Sequence, residues 1–376
     1  MKVFYNALVV HLIFNIYVFV RGWQLLPPRK TYRIPYTALF AVELLLYLIG
    51  FIFNVSLPEP LLKPILLLGT TWMLLIGYTC AFLLIYDLLR WLGKKRSRIR
   101  KLHLDSLRNR RMYFLTVFII VVLMLSWGSC RFYHPVVTEL NLKVNKKVEG
   151  LDKLRVVMVA DMHAGYLIDR PVLKIYIDRI MEQNADIILI PGDIIDYDLP
   201  PLVKQNMHEE FRRLSAPYGV YAATGNHEYR LNAEEKIAWL SEKAGLNVLR
   251  DEYVKIDDKF YIIGREDDYA PVRKSLAAIM EGVDRNLPLI VLNHEPHLLS
   301  EESEQKIDLA LYGHTHNGQL FPYNILINWI YEVGHGYKKK DNTHVYVTSG
   351  IGLSGPQYRI GTISEIVVVN LEFDGQ

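Results

Sequence analysis

Four stretches of this chain are apolar and nearly free of charge: Val3 to Val20, Ile34 to Leu57 with Glu43 as its one acid, Pro64 to Tyr86, and Met112 to Cys130. A helix rises about 1.5 Å per residue, so about 20 residues cross a hydrocarbon core about 30 Å thick. Each stretch therefore predicts a membrane-spanning helix, the first being the shortest. A cleaved signal peptide competes for the first, but its apolar run is long and no small-x-small cleavage pattern precedes Arg21 to Pro28. From Leu154 the pattern changes to short runs rich in Val, Ile and Leu, each followed by a polar cluster. Arg155–Ala160, Asp186–Ile190, Val220–Ala223, Leu287–Leu292 and Leu309–Tyr312 predict buried strands. Asp169–Gln183, Asn232–Ala244 and Pro271–Met280 predict helices, and Phe260–Gly264, Val345–Ser349 and Glu365–Phe373 predict further strands. Asn141–Leu151 reads as a polar connector or entry strand. The expected architecture is an all-α transmembrane region of four helices over 1–134 and an α/β domain over 135–376.

Charge separates the same two parts. Residues 1–134 carry 17 Lys and Arg against four acids, a net +13, while residues 135–376 carry 26 basic and 36 acidic residues, a net −10. A net-acidic domain has no field to attract nucleic acid, so a nucleic-acid partner is excluded from the expectation. The basic residues instead mark loops. Arg21, Arg29, Lys30 and Arg33 follow the first span, Lys63 alone lies in the second loop, and nine basic residues fall between Lys94 and Arg111. By the positive-inside rule the first and third loops are cytoplasmic, which puts the α/β domain outside a plasma (inner) membrane crossed several times. Within the second span Glu43 is a costly carboxylate, expected either on a proton or substrate path or in a structural clasp with His11 and Asn15, which lie four apart on one helical face. The two cysteines, Cys80 and Cys130, supply neither a disulfide framework nor a thiolate metal site to the α/β domain.

The chemistry falls at strand ends. The five core strands run into Asp161-Met-His163, Gly192-Asp193-Ile-Ile-Asp196, Gly225-Asn226-His227-Glu228, His294-Glu-Pro and Gly313-His314-Thr-His316. Ligands of layered α/β folds bind beyond the carboxyl ends of strands, and five ends carrying Asp, Asn or His predict one shared centre. Carboxylates, an amide oxygen and imidazoles without thiolates suit two divalent or trivalent ions such as Mn, Fe or Zn. More donors are present than one tetrahedral ion needs. A pair of ions lowers the pKa of a bridging water and clamps the attacking and leaving oxygens of a phosphoryl displacement, and His227 is placed to protonate the leaving oxygen.

In this order the set resembles the signature of the calcineurin-like metallophosphoesterases, over about residues 150 to 373. The resemblance implies a four-layer αββα sandwich. One ion would be held by Asp161, His163, Asp193 and His316 and the other by Asp193, Asn226, His294 and His314, with Asp193 bridging and His227 catalytic. The tail from Ser349-Gly-Ile-Gly through Tyr358-Arg359 to Glu365 also resembles the membrane-anchored bacterial branch, whose members commonly have one anchor or none. Asp196 and Glu228 are expected to orient ligands; Arg359 is expected either to contact a phosphate or to form a surface ion pair; His335 is expected at the substrate mouth or on a surface loop. The function expected is hydrolysis of a phosphomonoester, phosphodiester or pyrophosphate by metal-activated hydroxide, on a substrate held in the bilayer or cell envelope. The competing expectation is a transporter or sensor whose outer domain binds a phosphorylated ligand.

Overall fold

The computed structural model describes residues 2–52, 59–297 and 299–375, and divides into two compact units, Met1–Trp127 and Gly128–Gln376. The division falls inside the last N-terminal helix, a few residues ahead of the expected boundary at 134/135. The first unit is helical: α1 (Lys2–Trp23), α2 (Lys30–Ile52), α3 (Glu59–Lys95), the single turn α4 (Ser97–Arg100) and α5 (Leu107–Tyr133). Positions 53–57, the end of the second expected span, lie outside the described residues. Three helices are long and apolar enough to cross a membrane, over Lys30–Ile49, Leu61–Lys95 and Leu107–Tyr133; the first expected span is a shorter apolar helix over Leu8–Trp23 among the described residues. The 37 residues of α3 extend about 55 Å, longer than a hydrocarbon core is thick, and its last turns carry Asp87, Arg90, Lys94 and Lys95.

Inside this unit Val18, Trp72, Ile76, Cys80 and Leu83 form an apolar seam. The polar clasp differs from expectation. The Asn15 amide contacts the His11 ring at 3.0 Å and its oxygen accepts from the Trp72 indole N–H at 2.9 Å, while the His11 ring lies against Tyr47. The clasp thus ties α1 to α3 through Trp72, because an indole N–H is a donor that must be satisfied away from water. Glu43 has one buried oxygen, Oε2, with no hydrogen-bond partner among the described residues.

The second unit contains two six-stranded sheets. Its strands are β1 (Val136–Val144), β2 (Lys153–Met158), β3 (Ile187–Pro191), β4 (Val220–Ala223), β5 (Asn247–Val248), β6 (Glu252–Ile256), β7 (Phe260–Gly264), β8 (Leu289–Leu292), β9 (Leu309–Tyr312), β10 (Gly336–Lys340), β11 (Thr343–Val347) and β12 (Glu365–Phe373). One sheet runs β1-β12-β2-β3-β4-β5 and the other β10-β11-β9-β8-β7-β6. Strands β2 to β5 are parallel, as are β11, β9, β8 and β7, so their carboxyl ends open on common edges. Side chains alternate across each strand. Val156 and Met158 join Leu189, Ile290, Leu309 and Leu311 between the sheets, whereas Val157, Ile188 and Val368 pack outward under α6 (Arg170–Met181). Ile263, Val291 and Ala310 form a third apolar layer on the far face of the second sheet. The result is a four-layer αββα sandwich.

The remaining helices are short: α7 (Pro200–Lys204), α8 (His208–Phe211), α9 (Ala233–Ala238), α10 (Leu276–Ile279), α11 (Leu299–Glu304) and α12 (Tyr323–Ile330). Two expected helices are curtailed. α9 passes into a π-helical turn at Trp239–Lys243, and Pro271–Met280 is helical only over Leu276–Ile279. In the latter, the Lys274 and Leu276 N–H groups donate to Asp251 and Glu301, which fixes the chain in non-helical geometry up to the Ser275 cap. The entry strand lies earlier than expected, at Val136–Val144, where Leu140, Leu142 and Val144 alternate with Glu139, Asn141 and Lys143 and pair parallel to β12.

Glu365, 1% exposed, knots the two sheets together: it accepts from Thr138 of β1 at 2.6 Å, Tyr346 of β11 at 2.9 Å and Thr348 at 2.8 Å, with His335 Nε2 at 3.2 Å. His335 lies on the loop between α12 and β10, partly exposed, and its ring is a partner of this knot. Burial alone would raise the Glu365 carboxyl, but His335 and the hydroxyl donors hold it at about 2. A carboxylate depressed in the folded state contributes stability above its unfolded value and loses it as pH falls through the folded one. Between pH 5 and pH 2 the wild-type chain should lose about 3 kcal/mol from this group, and Glu365→Gln should flatten that part of the pH profile of unfolding midpoints in urea.

Candidate metal centre

The ladder between β2 and β3 runs on past their ends. The N–H groups of Asp161, His163 and Ala164 donate to the carbonyls of Gly192, Asp193 and Ile194 at 3.1, 3.0 and 2.8 Å, so the first two ligand segments are laid side by side. Five expected ligands, Asp161, His163, Asp193, His314 and His316, have positive φ between 49° and 70°. This conformation is uncommon for residues with a Cβ and costs on the order of 1 kcal/mol each, and such strain concentrates at functional sites. At two neighbouring positions only glycine fits: a Cβ on Gly225 would meet Asp193 Oδ1 at 2.3 Å and one on Gly313 would meet Asp161 Oδ2 at 2.6 Å.

All seven expected ligands converge in two groups that share Asp193. Nε2 of His163 lies 3.1 Å from Nε2 of His316, 3.7 Å from Asp193 Oδ2 and 4.0 Å from Asp161 Oδ1. On the other side His294 Nε2 lies 3.2 Å from Asp193 Oδ2 and 3.2 Å from Asn226 Oδ1, and His314 Nδ1 lies 3.1 Å from the same amide oxygen. His294 Nδ1 is 2.8 Å from the Pro191 carbonyl, which only accepts, so Nδ1 carries a proton and Nε2 is the nitrogen offered to the centre. Donor atoms of imidazole and carboxylate aimed at one another within 4.8 Å fit cations better than they fit each other.

The electrostatics agree. Burial alone would raise the Asp193 carboxyl, but the charge and hydrogen bond of His294, with His163 and His227, hold it well below the carboxylate range. Burial opposes a charge on His294 too, yet Asp193 and Asp161 push it well above the usual imidazole value. By contrast burial pushes His314 down to about 3. Without an ion, the His294 proton neutralises part of the site's negative charge; loading an ion would displace it.

Asp196 and Glu228 support this arrangement. The Asp196 carboxylate lies 3.3 Å from His163 Nδ1 and 3.2 Å from His227 Nδ1, and its carbonyl takes the His227 Nδ1 proton. The His227 ring, 4.4 Å from that of His163, thus turns Nε2 inward to within 4.0 Å of Asp193 Oδ2. Glu228 is wholly buried and accepts four backbone N–H groups, from Asp193, Ile194, Ile195 and Gly225, at 2.8 to 3.0 Å. Its carboxylate binds the second ligand loop to the third. Glu228→Ala would leave four buried donors unsatisfied, and should lower unfolding stability by on the order of 4 kcal/mol, read from the denaturant midpoint at constant m.

Arg359 is not in a surface ion pair. It is fully buried and donates to the carbonyls of His316, Gly350 and Gly352, holding the fifth ligand loop against the Gly350 loop beside Asp161. The planar fork of donors that suits phosphate suits three carbonyls equally.

The sequence reading missed Asp267. It is 1% exposed, follows the carboxyl end of β7, and keeps Oδ2 buried with no hydrogen-bond partner among the described residues; burial pushes it up to about 6 despite the charge of His294. Its signal is positional, since β7 ends on the same edge as β8. Beside it the chain places Glu295, His297 and Tyr331 around His314, with His297 stacked on Tyr331 at 5.4 Å.

Residues 154–318 match the family model described as calcineurin-like phosphoesterase. The chain carries a calcineurin-like metallophosphoesterase domain. Its relatives come from animals and bacteria alike. It is 29% identical over 325 residues to a Danio rerio "transmembrane protein with metallophosphoesterase domain", covering 80% of this chain and 74% of that one. That match exceeds the length of the phosphoesterase unit, so the likeness reaches into the N-terminal helices. An uncharacterized metallophosphoesterase of Campylobacter jejuni is 31% identical over 236 residues, 61% of this chain and 62% of its own. One from Aquifex aeolicus is 29% identical over 266 residues, 68% of this chain and 99% of its own. The chain thus spans about three fifths of the length of the Campylobacter relative.

Proposed function

We propose that this chain is a membrane-tethered dimetal phosphohydrolase, crossing the plasma membrane several times, whose site stands outside the cytoplasm and cleaves a phosphate ester or pyrophosphate of a lipid-linked substrate. The observation that carries the dimetal reading is Asp193 Oδ2, which lies 3.7 Å from His163 Nε2 on one side and 3.2 Å from His294 Nε2 on the other. Asp161, His163, Asp193 and His316 would hold one ion, and Asp193, Asn226, His294 and His314 the other. When bound, the ions supply Lewis acidity toward the phosphoryl oxygens and a lowered pKa for water at the centre. The chain's own residues do the rest. Asp196 and Glu228 hold the ligand loops in register, and Asp196 fixes the His227 tautomer so that Nε2 faces the leaving oxygen. Charged as imidazolium, His227 can give that proton up as the ester bond breaks.

The lipid-linked reading rests on the tether, which keeps the domain near the headgroup plane, and the outward orientation on the loop charges. Full-length protein in Mn-loaded form should hydrolyse a phosphoester held in vesicles at least about tenfold faster than a short-chain soluble analogue, a difference of about 1.4 kcal/mol in barrier. Equal rates on the two would remove the lipid-linked substrate and leave the phosphohydrolase; protection of the domain from protease in right-side-out cells would reverse the orientation.

A further inference from the structure

The helix α12 is the least expected element of the phosphoesterase unit. Every residue from Asn317 to Tyr331 is uncharged, and none of the eight in α12 is buried. Ile325, Leu326, Trp329 and Ile330, at helical spacings of one, four and five, are 61, 44, 83 and 58% exposed. The opposite side is the seated one: a Cβ on Gly318 would meet the backbone of Tyr323 and Asn324 at 2.4 to 2.8 Å, and one on Gly334 would meet Ile327 and Asn328 at 2.8 Å. A soluble domain has no reason to hold a tryptophan and three aliphatic side chains together in water.

What covers this face is indicated by where the chain enters the unit. The last turns of α5 belong to it, and Gly128 O accepts from the Arg359 N–H at 3.0 Å, so close that a Cβ on Gly128 would meet Ile360 at 2.9 Å. Ile360 then pairs with the segment that starts α12: its N–H donates to Gln319 O at 3.2 Å and its carbonyl accepts from Phe321 N–H at 2.7 Å. The end of the apolar helix Leu107–Tyr133 is thus one strand's width from the start of α12, and Arg359 itself touches His316. Where a span leaves the bilayer, its neighbours stand at the headgroup level, the depth that Trp and Tyr favour. We propose that α12 lies in the headgroup–acyl boundary of the bilayer that α5 crosses, an interfacial helix that holds the His314–His316 side of the metal centre at the lipid surface. The proposal rests on the reading of Leu107–Tyr133 as a span and on no particular substrate.

The test places an environment-sensitive fluorophore on the full chain in nanodiscs holding one copy each, in a Cys80→Ala, Cys130→Ser background. Labels go at Trp329→Cys, at Asp258→Cys on the exposed β6–β7 turn, and at Leu123→Cys on the exposed face of α5. Spin-labelled lipids then report depth, with hydrolysis of a soluble ester as the check on folding. The expected result is a blue-shifted label at 329 that loses most of its emission to headgroup-level quencher and less to a deep one, while the label at 258 loses none. An unquenched label at 329 in hydrolytically active protein overturns the proposal. So does a label at 329 that is blue-shifted yet unquenched by lipid, or that shifts only when discs hold two copies, since a protein surface would then be the occupant. If the label at 123 escapes the deep quencher, the span itself fails, and that outcome is distinct from a failure of α12.

Discussion

Asp193→Asn should lower metal-dependent phosphoester hydrolysis by about a thousandfold or more, about 4 kcal/mol of barrier, and should strip metal from the purified protein. The expected size follows from position. Asp193 stands between the nitrogen donors of the two sides, and its two oxygens have different duties: Oδ1 accepts the His227 backbone N–H at 2.8 Å, while Oδ2 lies between His163 and His294. An asparagine keeps the shape but can present only one oxygen. If that oxygen keeps the His227 N–H, an NH₂ group faces the cations; if it flips, the third ligand loop loses its anchor. The change also removes the charge that holds His294 protonated, so proton release on Mn binding should fall, measurable by calorimetry in buffers of different ionisation enthalpy. Asp161→Asn should cost less, because it would weaken one ion's shell and leave the shared oxygen in place. Equal metal content in wild type and Asp193→Asn would sink the bridging role.

The parts of this centre legible in the sequence are those where chemistry and backbone position coincide. A short buried strand followed at once by Asp, Asn or His announces both an element and a ligand, and Val220–Ala223 with Asn226 or Leu309–Tyr312 with His314 are recognisable from the residues alone. The layered arrangement follows because such strands are apolar on both faces and must be covered twice. What sequence could not show is what long-range contacts decide. Arg359 reads as a surface cation until three carbonyls from two loops are brought around it. Pro271–Met280 has helical spacing, but Asp251 and Glu301, distant in sequence, take the N–H groups that a helix would have used. His11 and Asn15 share one helical face as their spacing requires, yet their partner across the bundle is Trp72. The α12 segment carries no signal of its setting either: a mainly apolar run from Tyr323 to Ile330 looks like core, and only its exposure tells otherwise.

His227→Ala should reduce turnover by about 10²- to 10⁴-fold on alkyl esters while leaving both ions bound. Its Nδ1 proton is committed to the Asp196 carbonyl, so Nε2 is the only nitrogen able to exchange a proton with substrate. A group that protonates the departing oxygen matters in proportion to how poorly that oxygen leaves. The loss should therefore shrink toward about tenfold or less on p-nitrophenyl esters, whose leaving group is stable as an anion, and the slope of log kcat against leaving-group pKa should steepen in the variant. The geometry admits one competing role, since His227 also offers a nitrogen within 4.8 Å of His163 and Asp193 donor atoms and stands where a ligand would. The two roles separate cleanly. A ligand's removal lowers metal content and costs every substrate alike, whereas an acid's removal spares the metal and penalises poor leaving groups.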